Sequence, residues 1–195
     1  MTLNWLDITT ALLGLVYILL EWRASWWMWI VGIVMQVLGI VLYFQKGIYA
    51  DSVMEFYYLA MSFYGLALWL RHKNKKKPPL PITHIPRRHI ALWTLALAAM
   101  WAGIWAILHF FTDSNVPVLD SFTTALSVVG MWALARKYVE QWLIWIAVDS
   151  VTCYLYFIKD IPFKASLYAL YIIIAIVGFI TWNRRARISQ VENEV

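Results

Sequence analysis

The sequence predicts an all-α integral membrane protein of seven transmembrane helices, built as two parallel three-helix repeats around a linker helix. Three observations predict it. The chain of 195 residues is 63% hydrophobic and 14% charged, too little charge to cover the surface of a soluble domain. Its apolar residues fall in seven runs near the ~20 residues that cross the hydrocarbon of a bilayer. The first three runs also resemble the last three.

The runs are residues 5–20, 27–45, 49–70, 90–111, 118–135, 142–158 and 166–182. No basic residue precedes Arg23, so the first run reads as a helix of the fold rather than a cleavable signal. The first three runs make a repeat over residues 1–71. Residues 72–117 hold a basic loop, kept from helix by Pro78, Pro79, Pro81 and Pro86, and then the linker helix. The second repeat covers 118–184, and 185–195 form a cytoplasmic tail. A single cysteine, Cys153, allows no internal disulfide.

Charge sets the orientation. With the 72–89 loop inside, every Lys and Arg except Lys46, Lys159 and Lys164 lies on an inner segment. Positive charge stays cytoplasmic, which predicts an outer N-terminus and an inner C-terminus. The run Lys75, Lys76 and Lys77 reads as a solvated inner loop touching anionic lipid heads, not as a nucleic-acid surface.

Three ordered matches carry the repeat. Trp26-x-x-Trp29-Ile30 matches Trp142-x-x-Trp145-Ile146 at an offset of 116 residues. Tyr43-Phe44-x-Lys46-x-Ile48 matches Tyr156-Phe157-x-Lys159-x-Ile161, and Gly65-x3-Trp69-x-Arg71 matches Gly178-x3-Trp182-x-Arg184, both at 113. The change of offset implies a three-residue deletion inside the sixth helix. Units that start four helices apart keep one orientation, so the repeat is parallel, with substrate expected at its interface.

Polar side chains at membrane depth are costly and should face the bundle interior. The sixth helix carries Trp142, Trp145, Asp149, Thr152 and Tyr156 at spacings of three or four, on one face. The third carries Asp51, Glu55, Tyr58, Ser62 and Gly65, the seventh Lys164, Tyr168, Tyr171, Ala175 and Gly178, and the second Gln36. The candidate substrate-binding residues are Gln36, Glu55, Tyr58, Trp142, Trp145, Asp149, Thr152, Tyr168 and Tyr171. Aromatic faces with carboxylates suit a flat heteroaromatic cation, and a desolvated cation over Trp or Tyr gains about 2 kcal/mol. The chemistry-neutral roles are an interfacial belt for Trp26, Trp27, Trp69 and Trp182, and close helix packing at Gly65 and Gly178. His72, His84 and His89 lie by the inner loop and His109 at the opposite face, which gives no metal set. Neither a phosphate loop nor a Ser/His/Asp arrangement is present. No enzymatic activity, cofactor or metal is therefore expected.

The run Arg136-Lys137-Tyr138-Val139-Glu140-Gln141-Trp142-Leu143-Ile144-Trp145 is similar to the Trp-x-x-Trp helix of the Pnu family of vitamin transporters. Leu42-Tyr43-Phe44, then Tyr49-Ala50-Asp51 and on through Tyr64-Gly65 to Trp69, resembles that family's second and third helices. The resemblance implies a full-length SWEET-like fold of three, one and three helices in the bacterial inner membrane. It implies facilitated diffusion of a vitamin, drawn inward by a cytoplasmic kinase that makes no stable contact, and a homo-oligomer, a trimer. The nicotinamide riboside members carry Asn where this chain has Asp149 and Gln where it has Glu55. A carboxylate suits the aminopyrimidine of thiamine, whose amino group it accepts from. The resemblance therefore points to the thiamine branch, with nicotinamide riboside as the alternative substrate. From another class, the residues leave open a non-transporting receptor or assembly subunit.

Overall fold

The computed structural model describes residues 5–45, 49–74, 80–112, 115–158 and 160–194. Lys46, Ile48, Lys75, Lys76, Lys77, Pro78, Pro79 and Lys159 lie outside the described residues, as do the side chains of Asp51, His72, Lys73 and His89. Seven helices follow in order: α1 (Trp5–Trp22), α2 (Trp27–Gln45), α3 (Tyr49–Asn74), α4 (Arg87–Phe111), α5 (Pro117–Ala135), α6 (Gln141–Ile158) and α7 (Pro162–Glu194). Stretches of α2 to α7 are long and apolar enough to cross a membrane, whereas the apolar part of α1, Leu12–Trp22, is shorter. Among the described residues the chain forms no β-strand, and its one isolated bridge joins Thr83 to Tyr138. The 33-residue α7 outruns its expected span and carries the segment read as a tail in helical form to Glu194.

The chain divides into two compact units, Met1–Pro81 and Ile82–Val195, so α4 belongs with the second. In the first unit α2 packs on both α1 and α3. In the second, α5 packs on α4 and α6, and α6 on α7.

Both units use the same two local devices, 113 residues apart. The first is a helix stop. Ala24 (φ 54°) and Lys137 (φ 56°) adopt the left-handed conformation after α1 and α5. The Ala24 N–H donates to the Glu21 carbonyl (2.8 Å) and the Ser25 N–H to Leu20 (2.9 Å); the Lys137 N–H donates to Leu134 (2.9 Å) and the Tyr138 N–H to Ala133 (2.9 Å). This pair of bonds satisfies carbonyls that the helix end would otherwise leave open, and it reverses the chain into the next helix. Neither position is glycine, so each left-handed residue holds a strain of about 1–2 kcal/mol.

The second device is a tryptophan laid across a glycine. A Cβ on Gly65 would fall inside the Trp29 ring contact, and one on Gly178 would come 2.7 Å from the Trp142 ring. Each tryptophan then meets another edge-to-face: Trp29 with Trp69 at 5.5 Å and 87°, Trp142 with Trp182 at 5.6 Å and 88°. Such pairs contribute roughly 0.5–1.5 kcal/mol beyond the area they bury. Two expectations are corrected here. Trp69 and Trp182 are core residues, 5% and 0% exposed, not an interfacial belt. Trp27, at 54%, is exposed as a belt residue would be, with Trp26 stacked on it at 4.3 Å. The structural counterpart of Trp29 is Trp142, not Trp145, so one offset of 113 spans all these features and no deletion in α6 is needed.

Candidate functional site

In the second unit, α6 packs on both α5 and α7. Trp142 turns toward α7 and is fully buried over Gly178, so its ring is engaged in helix packing. Gln141, Trp145, Asp149 and Thr152 follow at spacings of four, four and three, with Asp149 two turns after Trp142. Asp149 is 7% exposed and lies close enough to Tyr171 on α7 for its charge to act there. The Thr152 hydroxyl donates to the Val148 carbonyl of its own helix (2.8 Å), which leaves it lone pairs but no free proton.

Beyond Asp149 toward the end of α6 the site is aromatic. Tyr156 stacks on Tyr168 (5.5 Å, 22°), Tyr168 meets Tyr171 edge-on (5.6 Å, 78°), and the Lys164 ammonium sits 5.2 Å from the centre of the Tyr156 ring. The structure thus joins Asp149 to Tyr171 and Tyr171 to Tyr168 within one unit. Trp142 lies two turns before Asp149 on α6, over Gly178, which is two turns after Tyr171 on α7.

Several polar atoms on α6 are buried without a hydrogen-bond partner in the structure: the indole N–H of Trp142, the indole N–H of Trp145, and both amide atoms of Gln141, whose side chain is 0% exposed. A buried donor or acceptor without a partner costs about 1–3 kcal/mol, a cost a fold carries where a bound molecule can supply the partner.

In the first unit, the Glu55 carboxyl of α3 lies against the bare backbone of Gly39 on α2, 2.8 Å from where a Cβ would stand. Tyr58 of α3 meets Tyr57 edge-on at 5.7 Å and lies near Tyr17 of α1. Ser62 is fully buried, with its hydroxyl and the Tyr17 ring both meeting Gly32 at 3.2 Å from its Cβ position. Gln36 is half-buried on α2. Sequence reasoning passed over Tyr17, Glu21, Gly130 and Gln141. Glu21 is 3% exposed at the end of α1, where a carboxylate reads as solvated.

Next to the site, the segment before α4 is clasped to the α5–α6 turn. The Thr83 N–H donates to the Lys137 carbonyl (3.2 Å) and the Val139 N–H to the Thr83 carbonyl (2.9 Å). The Glu140 carboxylate takes the Ile85 N–H (3.0 Å) and pairs with His84 Nδ1 (2.8 Å). Burial, with the Arg185 guanidinium beside it, pushes the Lys137 ammonium down to about 8. The described residues hold no cluster of three or more His, Cys, Asp or Glu placed to bind a metal.

Among the described residues, seven helices, six of them with stretches long and apolar enough to cross a membrane, with a carboxyl, an amide and indole N–H groups buried among them, fit a polytopic membrane protein of the small-molecule transporter class. The chain belongs to the nicotinamide mononucleotide transporter family, whose model matches residues 4–184. It is 23% identical to the nicotinamide riboside transporter PnuC of Escherichia coli, over 95% of this chain and 87% of that protein. It is 21% identical to the PnuC of Neisseria mucosa, over 93% and 73%. With the riboflavin/roseoflavin transporter RibM of Streptomyces davaonensis it shares 27% identity over 94% and 86%. The crystal structure of the vitamin B3 transporter PnuC has the same fold, with a TM-score of 0.74 at 21% identity, over 94% of this chain and 82% of that one. The Pnu resemblance is therefore established as family membership, and the protein is a vitamin transporter of this type.

Proposed function

We propose that the protein takes up nicotinamide riboside across the bacterial inner membrane by facilitated diffusion, trapped inside by phosphorylation. The observation that carries this is the set of near-full-length relatives named as nicotinamide riboside transporters. It moves the substrate from thiamine to nicotinamide riboside, the alternative substrate. The α6 face supports it chemically: an aromatic ring, an indole N–H without a protein partner and a buried carboxyl suit a flat cation bearing a carboxamide.

One observation keeps thiamine as a second reading. Asp149 and Glu55 are acids, and a carboxylate accepts from the aminopyrimidine amino group. Under either substrate the two units act as parallel repeats in alternating access, the N-terminus is outside, and the chain assembles as a trimer with one path per protomer. In the second unit Trp142, Trp145, Asp149, Thr152, Tyr168 and Tyr171 are the residues assigned to the vitamin, and in the first unit Gln36, Glu55 and Tyr58 are.

Proteoliposomes test this reading. Purified protein should equilibrate labelled nicotinamide riboside and go no further unless the matching kinase and ATP are enclosed. A pH gradient should leave the initial rate unchanged. Unlabelled thiamine and riboflavin serve as competitors. Tight thiamine binding by calorimetry, lost in Asp149→Asn or Glu55→Gln, together with no nicotinamide riboside uptake, would restore thiamine. Absence of any vitamin uptake would mark a receptor or assembly subunit.

A further inference from the structure

The α1–α2 and α5–α6 contacts use the same two positions with their sizes exchanged. In the first unit the small residue is on the second helix of the pair: Gly32 of α2 receives the ring of Tyr17 from α1, 3.2 Å from its Cβ position. In the second unit the small residue is Gly130 of α5, and the ring is Trp145 of α6. Gly130 stands 113 residues after Tyr17, and Trp145 stands 113 after Gly32, the separation that also relates Trp29 to Trp142 and Ala24 to Lys137. The aromatic ring thus comes from opposite helices in the two units.

The edge of Trp145 that faces Gly130 is the one next to its indole N–H. The atoms nearest the missing Cβ are Ile144 Cγ2 at 3.1 Å, then Trp145 Cζ2 at 3.4 Å and Cε2 at 3.5 Å. Cε2 is bonded to Nε1, whose N–H is buried with no partner. The ring is only half-buried, unlike Trp29 and Trp142 over their glycines, which are 0% exposed. The bare backbone of Gly130 therefore supports the N–H edge of a ring that is itself half-buried.

We propose that Gly130 is a positioning residue of the substrate site, whose missing side chain seats the Trp145 indole so that its N–H is held ready for an acceptor on the vitamin. This rests on the reading that the α6 face binds substrate. It assigns specificity to an exchange of sizes: the first unit carries Gly32 at the position where the second carries the indole donor Trp145. The acceptor it suits is a carbonyl or hydroxyl oxygen, as on a carboxamide or a ribose.

The distances grade the test. A methyl at residue 130 stays in ordinary contact with Trp145 and needs Ile144 to give by a few tenths of an ångström. A β-branched side chain adds γ carbons that must displace Ile144 or the indole. Nicotinamide riboside uptake is measured in proteoliposomes for Gly130→Ala, Gly130→Val, Trp145→Phe and the Val/Phe double variant, with melting temperatures in detergent. Gly130→Ala should stay within about twofold of the wild-type KM. Gly130→Val should raise KM about tenfold, as for one lost hydrogen bond, with the maximal rate little changed and the melting temperature lowered by overpacking. In the Trp145→Phe background, which keeps a ring and lacks the N–H, Gly130→Val should add little, because both changes remove one interaction. If Val prevents folding, Gly130→Ser, with a single γ atom, takes its place. A fall in maximal rate and melting temperature at unchanged KM, or full additivity of the two variants, overturns the proposal. A wild type that takes up thiamine or riboflavin instead overturns only the substrate reading, and the same cycle is then read with that vitamin. A wild type that takes up none of the three overturns both.

Discussion

Trp142 repeats, 113 residues later, what Trp29 does: each lays its indole over a glycine of the third helix of its unit and meets a second tryptophan edge-on. The ring needs the space a Cβ would occupy. Gly65→Ala and Gly178→Ala should therefore each lose about 1–3 kcal/mol through overpacking. Gly103→Ala is the control, since nothing lies within 4 Å of its Cβ position. Thermal unfolding in detergent should show the first two variants falling and the third unchanged or raised.

The buried amide of Gln141 has no partner at either atom in the structure. Gln141→Met keeps the volume and removes two unmet polar groups, so it should stabilise the protein by about 1–3 kcal/mol. A drop in melting temperature would show that the amide is bonded after all.

Lys137 titrates within reach of experiment. Its folded value, about 8, lies below the ordinary 10.5, so the unfolded chain binds more protons between those values. Stability should rise as pH increases across that window and level off above it. A melting curve series from pH 7.5 to 10.5 should show the rise in the wild type and its loss in Lys137→Met.

Glu140 holds the segment before α4 with one carboxylate, shared between the Ile85 N–H and His84. Both side chains are partly exposed, so Glu140→Ala should cost only about 1 kcal/mol globally. The local effect is larger. Hydrogen exchange at the Ile85 amide should accelerate well beyond that of the α5 core; unchanged protection there would show that the Thr83 bonds suffice.

Composition and run length made the membrane class and the seven helices legible, and the run through Trp142 and Trp145 made the family legible. The register of the repeat was not. Two tryptophans three residues apart permit two alignments, and only the glycine beneath each ring decides between them. Trp69 and Trp182 were unreadable for a related reason: a tryptophan at a helix end has the same sequence context in a lipid-facing belt and over a packed partner. Gln141 sits at a helix start, where an amide reads as solvated. Gly130 lies in an apolar run and gives no signal until it is set against Tyr17. The substrate lies furthest from the sequence, because Asp149 and Glu55 suit more than one flat cation.

The clasp between His84 and Glu140 spans 56 residues of chain. During synthesis α4 and α5 leave the ribosome before Glu140 exists, so the start of α4 has no anchor while those helices enter the bilayer. Only when α6 begins does the chain acquire the carboxylate that pins it. The start of α4 is therefore tied down late, by the same turn that launches the helix carrying Trp145 and Asp149.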